Sequence, residues 1–564
     1  MIQEYDPSAG GDRNAMVQCD DGPFVHRLHT KKNKYIYDVN SGEILRADDV
    51  TWDIIEESCL PMEDVLAKYS RQHAPEAITA AYEDIAQHRC KQGLFRADHP
   101  RVQLQYGTDY IRDKIAHRRG QLTLCVTEEC NFRCSYCHFA LPDTGIIRDH
   151  TTRRMSWEVA RAAIDEFLKH CKANRAPAEV RTSRDSPGRG IPLPSRRRSL
   201  YGGVSVDGDI PYRTHIGFYG GEPLLNFPLI KKCTQYVLDK MGPRGRFVSF
   251  GLSTNGYLLK GEAAEFLGDH DFILRVSLDG PAEVHDRHRR TADHESTWAE
   301  ITNNLKHYAR RYPLAALIIA ATVARTESIQ EVNNYWASAD WIPWRANVSS
   351  TMAVDPWPGY YGTDQGNHGS EQVYRDYLSN VVRGRMGLGL QHRDLLLQQA
   401  AFDLEFEGIH RRRWLCARAR QRGSTLSPDS QCVLGGVRVF VTVDGEYYPC
   451  ERVPECDALR IGSVATGLDA ERATTIMEEF VTCTRAQCER CWCLSFCALR
   501  CVGSMADRGK GYSQRTKEQW CQDARKMRHM FLVDYCEVLE ANPHAFDYLR
   551  QYEKLRELSH KAAW

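Results

Sequence analysis

The chain has no excess of either charge. Its 564 residues carry 74 Lys plus Arg and 74 Asp plus Glu. No global field draws it toward nucleic acid or an anionic membrane surface. Its local basic runs, Arg196–Arg198 and Arg411–Arg413, read as solvated loop charge. It also lacks an apolar run near the ~18 residues that cross a bilayer. The opening residues, Met1 to Pro7, are polar and acidic, which is not the character of a signal peptide. The expectation is a protein with no membrane contact, placed in the cytoplasm. Hydrophobic residues at 42% and charged residues at 26% fit a globular chain of about three or four domains. Cysteine is abundant, at 21 residues, and 12 of these lie at or after Cys416. A reducing compartment disfavours disulfides, so clustered cysteines there point to metal.

Residues 1–20 read as a loose tail and 21–98 as a compact unit. Within it Phe24–His29, Lys34–Asn40 and Glu43–Ala47 alternate as three short strands, with a turn at Asn40-Ser41-Gly42. Helical stretches follow near 49–58, 61–71 and 75–92, the first capped by Asp49 and the second striped by Met62, Val65, Leu66 and Tyr69. Strands followed by helices predict a winged-helix-like module. The acidic residues Glu56, Glu57, Glu63 and Asp64 deny it a DNA-binding stripe. Residues 99–120 read as a linker.

From 121 to 350, strands alternate with helices. The strand candidates are Leu122–Val126, His215–Tyr219, Val248–Ser253, Ile273–Leu278, Leu317–Val323 and Ala346–Met352. The helix candidates are Trp157–His170, Pro228–Lys240, Lys260–Leu267 and Thr297–Tyr308. Repeated βα units predict an α/β class with a parallel sheet curling toward a barrel, and a working end at the strand C-termini. The Arg-, Ser-, Pro- and Gly-rich stretch 174–213 reads as an insertion. A bridging region, 351–410, precedes a cysteine-rich region, 411–540, and a helical tail, 541–564.

The chemistry concentrates in Cys130-x3-Cys134-x2-Cys137, just after the first barrel strand. Three thiolates at this spacing can hold three irons of a four-iron cluster and leave the fourth open to a ligand. Zinc, which favours paired Cys-x2-Cys or Cys/His sets, is the alternative, as are three structural thiols. Further strand ends carry Gly220-Gly221-Glu222-Pro223, Ser253-Thr254-Asn255-Gly256 and Ser277-Leu278-Asp279-Gly280-Pro281-Ala282-Glu283-Val284-His285-Asp286. Glycine there permits close backbone approach, while Ser, Asn and Asp serve equally as cofactor contacts or as caps and turns. In the last third, Cys432-x12-Gly445-x4-Cys450 is followed by Cys488-x2-Cys491-x5-Cys497-x3-Cys501 and by Cys521.

The triplet and Gly-Gly-Glu-Pro resemble the signature of radical S-adenosylmethionine enzymes, and the later cysteines resemble the seven-cysteine SPASM pattern. The Tyr35–Gly42 segment resembles the leader-recognition (RRE-like) domain of ribosomal-peptide maturases. The resemblance implies a partial (β/α)6 barrel between a winged-helix-like module and a cysteine-rich iron–sulfur domain. It also implies three [4Fe-4S] clusters and S-adenosyl-L-methionine as cofactors.

By resemblance, Cys130, Cys134 and Cys137 are catalytic and bind the radical cluster. Tyr136, Gly220, Gly221, Glu222, Pro223, Asn255, Ser277 and Asp279 contact the cofactor, with Glu222 toward its amino group. His138 takes no metal role. Cys416, Cys432, Cys450 and Cys501 hold one auxiliary cluster, which has an open iron if Cys416 is not a ligand. Cys488, Cys491, Cys497 and Cys521 hold the other. Interleaving is accommodated by a hairpin of Val437–Val443 and Glu446–Tyr448 about Asp444-Gly445. Cys456, Cys483, Cys493 and Cys536 are read as buried thiols. Glu451, directly after Cys450, is weighed as a base against a surface role.

The function implied is radical modification of a precursor peptide, by a thioether or a carbon–carbon or carbon–oxygen cross-link. The partners implied are that peptide, with its leader, and a flavodoxin- or ferredoxin-like electron donor. Epimerisation, with Cys171, Cys233 or one of the spare cysteines Cys456, Cys483, Cys493 and Cys536 as hydrogen donor, and formylglycine formation in a sulfatase are the enzymatic alternatives. An iron–sulfur electron-transfer protein and a zinc-stapled peptide scaffold are the others.

Overall fold

In this computed structural model the described residues are 22–104, 107–117, 120–137, 150–171, 214–323, 329–342, 346–352, 406, 408–410, 425–426, 433–451, 453, 455–494, 502, 506–507, 511–512 and 514–547. The expected tail 1–20 and all of the insertion 174–213 lie outside them.

Val25–His29 (β1), Lys34–Asp38 (β2) and Ile44–Ala47 (β3) form an antiparallel sheet in the order β1-β2-β3. Gly42, at φ 73°, closes the second turn, and its N–H donates to the Asp38 carbonyl at 2.7 Å. The helices Asp49–Ile54 (α1), Met62–Tyr69 (α2) and Pro75–Gln92 (α3) then bury Ile54, Val65, Ile78 and Ile85 with Ile36 of the sheet. Asp49 does not cap α1. The cap is Asp48, whose carboxylate accepts the Thr51 N–H at 2.7 Å from extended backbone outside the helix. A capping residue must stand before the first turn to reach that donor. Asp49 is already inside the turn and pairs with Lys34.

The stretch expected as a linker contains Arg101–Val102 (β4) and Thr108–His117 (α4). The barrel strands follow as Gln121–Thr127 (β5), Thr214–Gly220 (β6), Val248–Thr254 (β7), Ile273–Ser277 (β8), Leu317–Val323 (β9) and Asn347–Met352 (β10). Each pairs in parallel with the next, so the six expected strands form one continuous sheet. Trp157–His170 (α5), Phe227–Met241 (α6), Gly261–Asp269 (α7), Ala282–His288 (α8), Trp298–Arg311 (α9) and Ile329–Ser338 (α10) connect them. This is a partial (β/α)6 barrel. β5 is buried along almost its whole length, as a strand covered on both faces must be.

The sheet continues beyond six strands. After the short Thr425–Leu426 (β11), which pairs with β4, Arg438–Val441 (β12) joins β5 in parallel, from Arg438 opposite Gln121 to Val441 opposite Leu124. Glu446–Tyr448 (β13) returns antiparallel through Gly445 at φ 87°, followed by Gly462–Ser463 (β14) and Gly467–Leu468 (β15). The helix Ala470–Glu489 (α11) is strapped to β4: Val102 N–H donates to Glu489 at 2.8 Å, and Arg485 Nε to the Val102 carbonyl at 3.0 Å. Ala506–Asp507 (β16) and Gly511–Tyr512 (β17) precede the long helix Gln514–Ala541 (α12).

Against α12 sits the N-terminal sheet. Phe24, Leu28 and Tyr37 pack with Phe531, Leu532 and Tyr535. Glu540 accepts from Thr30 Oγ1 (2.8 Å), Asn33 Nδ2 (2.6 Å) and Tyr35 Oη (2.8 Å). His26 of β1 stacks on Trp492 at 3.7 Å and bonds His529 at 2.9 Å. Thus β1 faces α12, and β3 has no partner strand beyond β2 among the described residues.

Candidate functional site

The C-terminal ends of β5 to β8 converge on one region. Cys130 lies three residues beyond β5, and its loop is held by the segment after α8. Arg133 N–H donates to the Arg290 carbonyl (2.9 Å), Ser135 N–H to His288 (3.0 Å), and Ala292 N–H to Asn131 (3.0 Å). Cys130, Cys134 and Cys137 are all half-buried. Burial pushes the Cys134 thiol up to about 12 and raises Cys130 likewise. Such thiols surrender their protons chiefly to a metal. Cys137 Sγ lies 3.8 Å from His150 Nε2. His138 lies outside the described residues.

The Gly-Gly-Glu-Pro turn is pressed against this loop. Gly221 N–H donates to the Thr127 carbonyl at 2.9 Å and Glu222 N–H to Glu129 at 2.8 Å. A Cβ on Gly220, at φ 152°, would stand 2.1 Å from Thr127 O. One on Gly221 would stand 2.3 Å from Glu129 O and 2.7 Å from Glu128 O. Only glycine fits either position. Pro223 then starts a short 3-10 turn, and the fully buried Glu222 turns inward. Its Oε1 accepts from Leu224 N–H (3.0 Å) and Thr254 Oγ1 (2.7 Å), its Oε2 from Asn255 N–H (2.7 Å). Burial still raises its pKa to about 7, outweighing these donors. A carboxylate offers about four acceptor positions, so room remains for one more donor. Asn255 is committed as well: its Nδ2 donates to Asn131 Oδ1 at 2.8 Å, and its Oδ1 accepts Tyr257 N–H at 3.0 Å.

Ser277 ends β8, half-buried. Two residues on, Asp279 is fully buried and accepts from Thr322 N–H (2.9 Å), Arg289 Nε (3.0 Å) and the Tyr136 hydroxyl. The Tyr136 hydroxyl therefore turns toward Asp279, while its ring stands 5.2 Å from the Arg289 guanidinium carbon. His285 Nδ1 accepts Asp279 N–H at 3.2 Å. Sequence reasoning missed Arg289 and Asn131, and it placed His285 within a motif without giving it a role. The only sequence signal was their closeness to named motifs, since a buried Arg cannot be told from a surface Arg by periodicity.

The auxiliary region is described in part. Cys416, Cys432, Cys497 and Cys501 lie outside the described residues. Cys488 and Cys491 share one turn at the end of α11, with Cys491 N–H donating to the Cys488 carbonyl at 3.1 Å, and Cys521 lies on α12. Among the spare thiols Cys493 and Cys536 are buried, Cys456 is half-buried, and Cys483 is exposed on α11, contrary to expectation. An amphipathic helix gives a cysteine on its outer face no core to enter. Cys171 and Cys233 are fully buried in the main core, where neither reaches a peptide as a hydrogen donor.

Register places Cys450 and Glu451 away from the triplet. β13 runs back toward the start of β12, and Arg438, opposite Gln121, pairs with Glu451 at 3.3 Å. Thr127 is six residues along the strand from Gln121, which is roughly 20 Å at ~3.3 Å per residue. Glu451 is therefore tied to Arg438 and is no base at the triplet.

The donor set fits a cluster with one open iron. It supplies three thiols from one loop, a guanidinium facing one of them, and a carboxylate with spare acceptor capacity nearby. A single zinc ion holds its thiolates ~2.3 Å away, and among the described residues no three His, Cys, Asp or Glu side chains are gathered for one ion. No helix among the described residues is long and apolar enough to cross a membrane.

No protein-family model matches the chain. A serine-type anaerobic sulfatase-maturating enzyme of Bacteroides thetaiotaomicron is 26% identical over 161 residues, 28% of this chain and 29% of that one. A cysteine-type enzyme of Clostridium perfringens (strain 13 / Type A) is 21% identical over 424 residues, 72% of this chain and 90% of that one. The chain thus spans under a third of the first relative and most of the second. A solved structure described as native anSMEcpe with bound AdoMet covers 76% of this chain at 18% identity and a TM-score of 0.46. The triplet beyond β5, the glycine turn beyond β6 and the six parallel strands stand beside these sequence likenesses, by which the chain is similar to the anaerobic sulfatase-maturating enzymes.

Proposed function

We propose that this protein modifies a ribosomally made precursor peptide by hydrogen abstraction, installing a thioether or a carbon–carbon or carbon–oxygen side-chain cross-link. The observation that carries the reading is the N-terminal sheet. Its β1 side is covered by α12, and β3 is an edge among the described residues. An extended leader adding to that edge gains backbone hydrogen bonds, with selectivity from the flanking side chains. Cys130, Cys134 and Cys137 would hold the cluster and Glu222 the S-adenosylmethionine, which together would supply hydrogen-abstraction chemistry. This chain's residues do the rest: Glu222 accepts from the cofactor's ammonium, Gly220 and Gly221 admit it closely, and Pro223 stiffens the turn. The product lacks two hydrogens. One would leave as a hydrogen atom and the other as a proton, with its electron accepted by a cluster held by the auxiliary cysteines, while the flavodoxin- or ferredoxin-like donor would supply the electron that cleavage of S-adenosylmethionine consumes. With Cys450 at the far end of the β5–β12 pair, the auxiliary cysteines suit electron relay better than substrate ligation.

The sequence likenesses favour a second reading, formylglycine formation in a sulfatase. Anaerobic co-expression with a small peptide encoded beside the gene separates the two. A product lighter by two hydrogens, inert to hydrazide and absent with Cys130→Ala, is the expected result. A hydrazide-reactive product would instead make this a formylglycine generator.

A pH dependence follows from Glu222. Its carboxyl, near pH 7 when free, is driven lower by a bound ammonium, so binding favours the ionised form. Affinity for S-adenosylmethionine is expected to rise about tenfold from pH 6 to 8 and to level off above 7. Glu222→Gln is expected to abolish the slope in calorimetric titration. An unchanged slope in that variant would place the ammonium elsewhere.

A further inference from the structure

We propose that Arg289 is a positioning residue for the Cys130–Cys134–Cys137 cluster, a fixed buried cation that sets how readily the cluster takes its electron. The inference rests on the reading of the triplet as a cluster site and goes beyond it.

Arg289 is 8% exposed, and its Nη1 lies 3.9 Å from Cys134 Sγ. It is anchored at every level. Nε donates to Asp279 at 3.0 Å and Nη2 to Thr322 Oγ1 at 3.5 Å, while the Arg289 carbonyl accepts Thr297 Oγ1 at 2.7 Å. Thr297 Oγ1 in turn bonds His285 Nε2 at 3.0 Å, and His285 also accepts the Asp279 N–H. A buried ion pair with a purely structural role needs only its own partner. Here the guanidinium divides its donors, Nε to the carboxylate and Nη1 to the sulfur of a loop cysteine. That division needs the planar fork of arginine and is denied to the point charge of lysine.

Reduction adds one electron to the cluster, moves no proton and breaks no bond. The added charge is stabilised more by a neighbouring cation than the oxidised state is. Hydrogen bonds to cluster sulfurs and local charge are the levers that set such potentials. Arg289 supplies both, so it makes the cluster easier to reduce.

The test is an anaerobic redox titration of the full-length protein with dithionite, following the paramagnetic signal that Cys130→Ala lacks. Replacing the pair together, Asp279→Asn with Arg289→Gln, removes the cation without stranding an anion. About tenfold less reduced cluster at a given potential is expected, a shift of about 59 mV to the negative for one electron. Arg289→Gln alone is expected to shift at least as far in the same direction, and Arg289→Lys less than either. An unshifted midpoint in the variants that carry the signal, even with a lowered melting temperature, would leave Arg289 a structural residue and overturn the proposal. So would a lysine variant shifted as far as glutamine. If the unaltered protein shows no signal that Cys130→Ala lacks, the cluster reading itself fails, and this inference with it.

Discussion

Asp279→Ala is expected to destabilise the protein by about 3–5 kcal/mol, the range for removing one partner of a buried ion pair. The arithmetic follows from what Asp279 holds. Its carboxylate accepts from Arg289 Nε, Thr322 N–H and the Tyr136 hydroxyl, and all three are left without it in one step. Arg289 cannot escape by losing its proton, because guanidinium stays charged at any accessible pH. It also cannot turn to solvent, being buried beneath the Cys134 loop. Asp279→Asn keeps one oxygen as acceptor and is expected to cost roughly half as much. Urea unfolding checks both through the transition midpoint, with an unchanged slope showing that the denatured state is unaltered. A loss below about 1 kcal/mol for Asp279→Ala would mean that water replaces the carboxylate, and that this end of the barrel is wetter than its burial indicates.

Local pattern carried most of the architecture. The bounds of Leu317–Val323 and Trp157–His170 coincide with the expected strand and helix, because a β-branched run and a 3.6-residue apolar stripe each suit one conformation. What escaped the sequence is long-range. Nothing within Arg438–Val441 tells that it will pair with β5, since any short apolar strand could complete that edge. The partner is chosen by tertiary fit, and that choice moves Cys450 and Glu451 to the far end of the sheet. Helices α11 and α12 were missed because their polar faces dilute the apolar period. The cap of α1 was missed by one residue because Asp48 and Asp49 are chemically alike and only the backbone outside the helix separates them. In the site, the motifs gave the strand ends but not the bonding. Tyr136 and Asp279 were both legible as site residues, yet their mutual hydrogen bond, and the arginine between them and Cys134, arise only when the segment after α8 folds back on the cluster loop.

Gly221→Ala is expected to weaken S-adenosylmethionine binding by about 100-fold or more while leaving the rest of the fold intact. The added Cβ would lie 2.3 Å from Glu129 O and 2.7 Å from Glu128 O. Both obstacles are backbone atoms of the segment that leads directly into Cys130, so no side chain can swing away to relieve them. The turn must lift, and lifting breaks the Gly221–Thr127 and Glu222–Glu129 hydrogen bonds. At ~1 kcal/mol each, with bond-angle or dihedral strain of about 1 kcal/mol more, the sum of about 3 kcal/mol slightly exceeds the ~2.7 kcal/mol that corresponds to 100-fold. The displacement also withdraws Glu222 from Thr254 and Asn255, and a carboxylate torn from its donors inside the protein becomes protonated and useless to an ammonium. Gly220→Ala is expected to match it, since φ 152° disfavours any side chain there and Thr127 O would lie 2.1 Å away. Equilibrium binding of S-adenosylmethionine to the iron-loaded variants, paired with thermal melts, checks both. Near-normal affinity in Gly221→Ala would mean that the turn supports the cluster loop without meeting the cofactor, and the role assigned to Glu222 would fall with it.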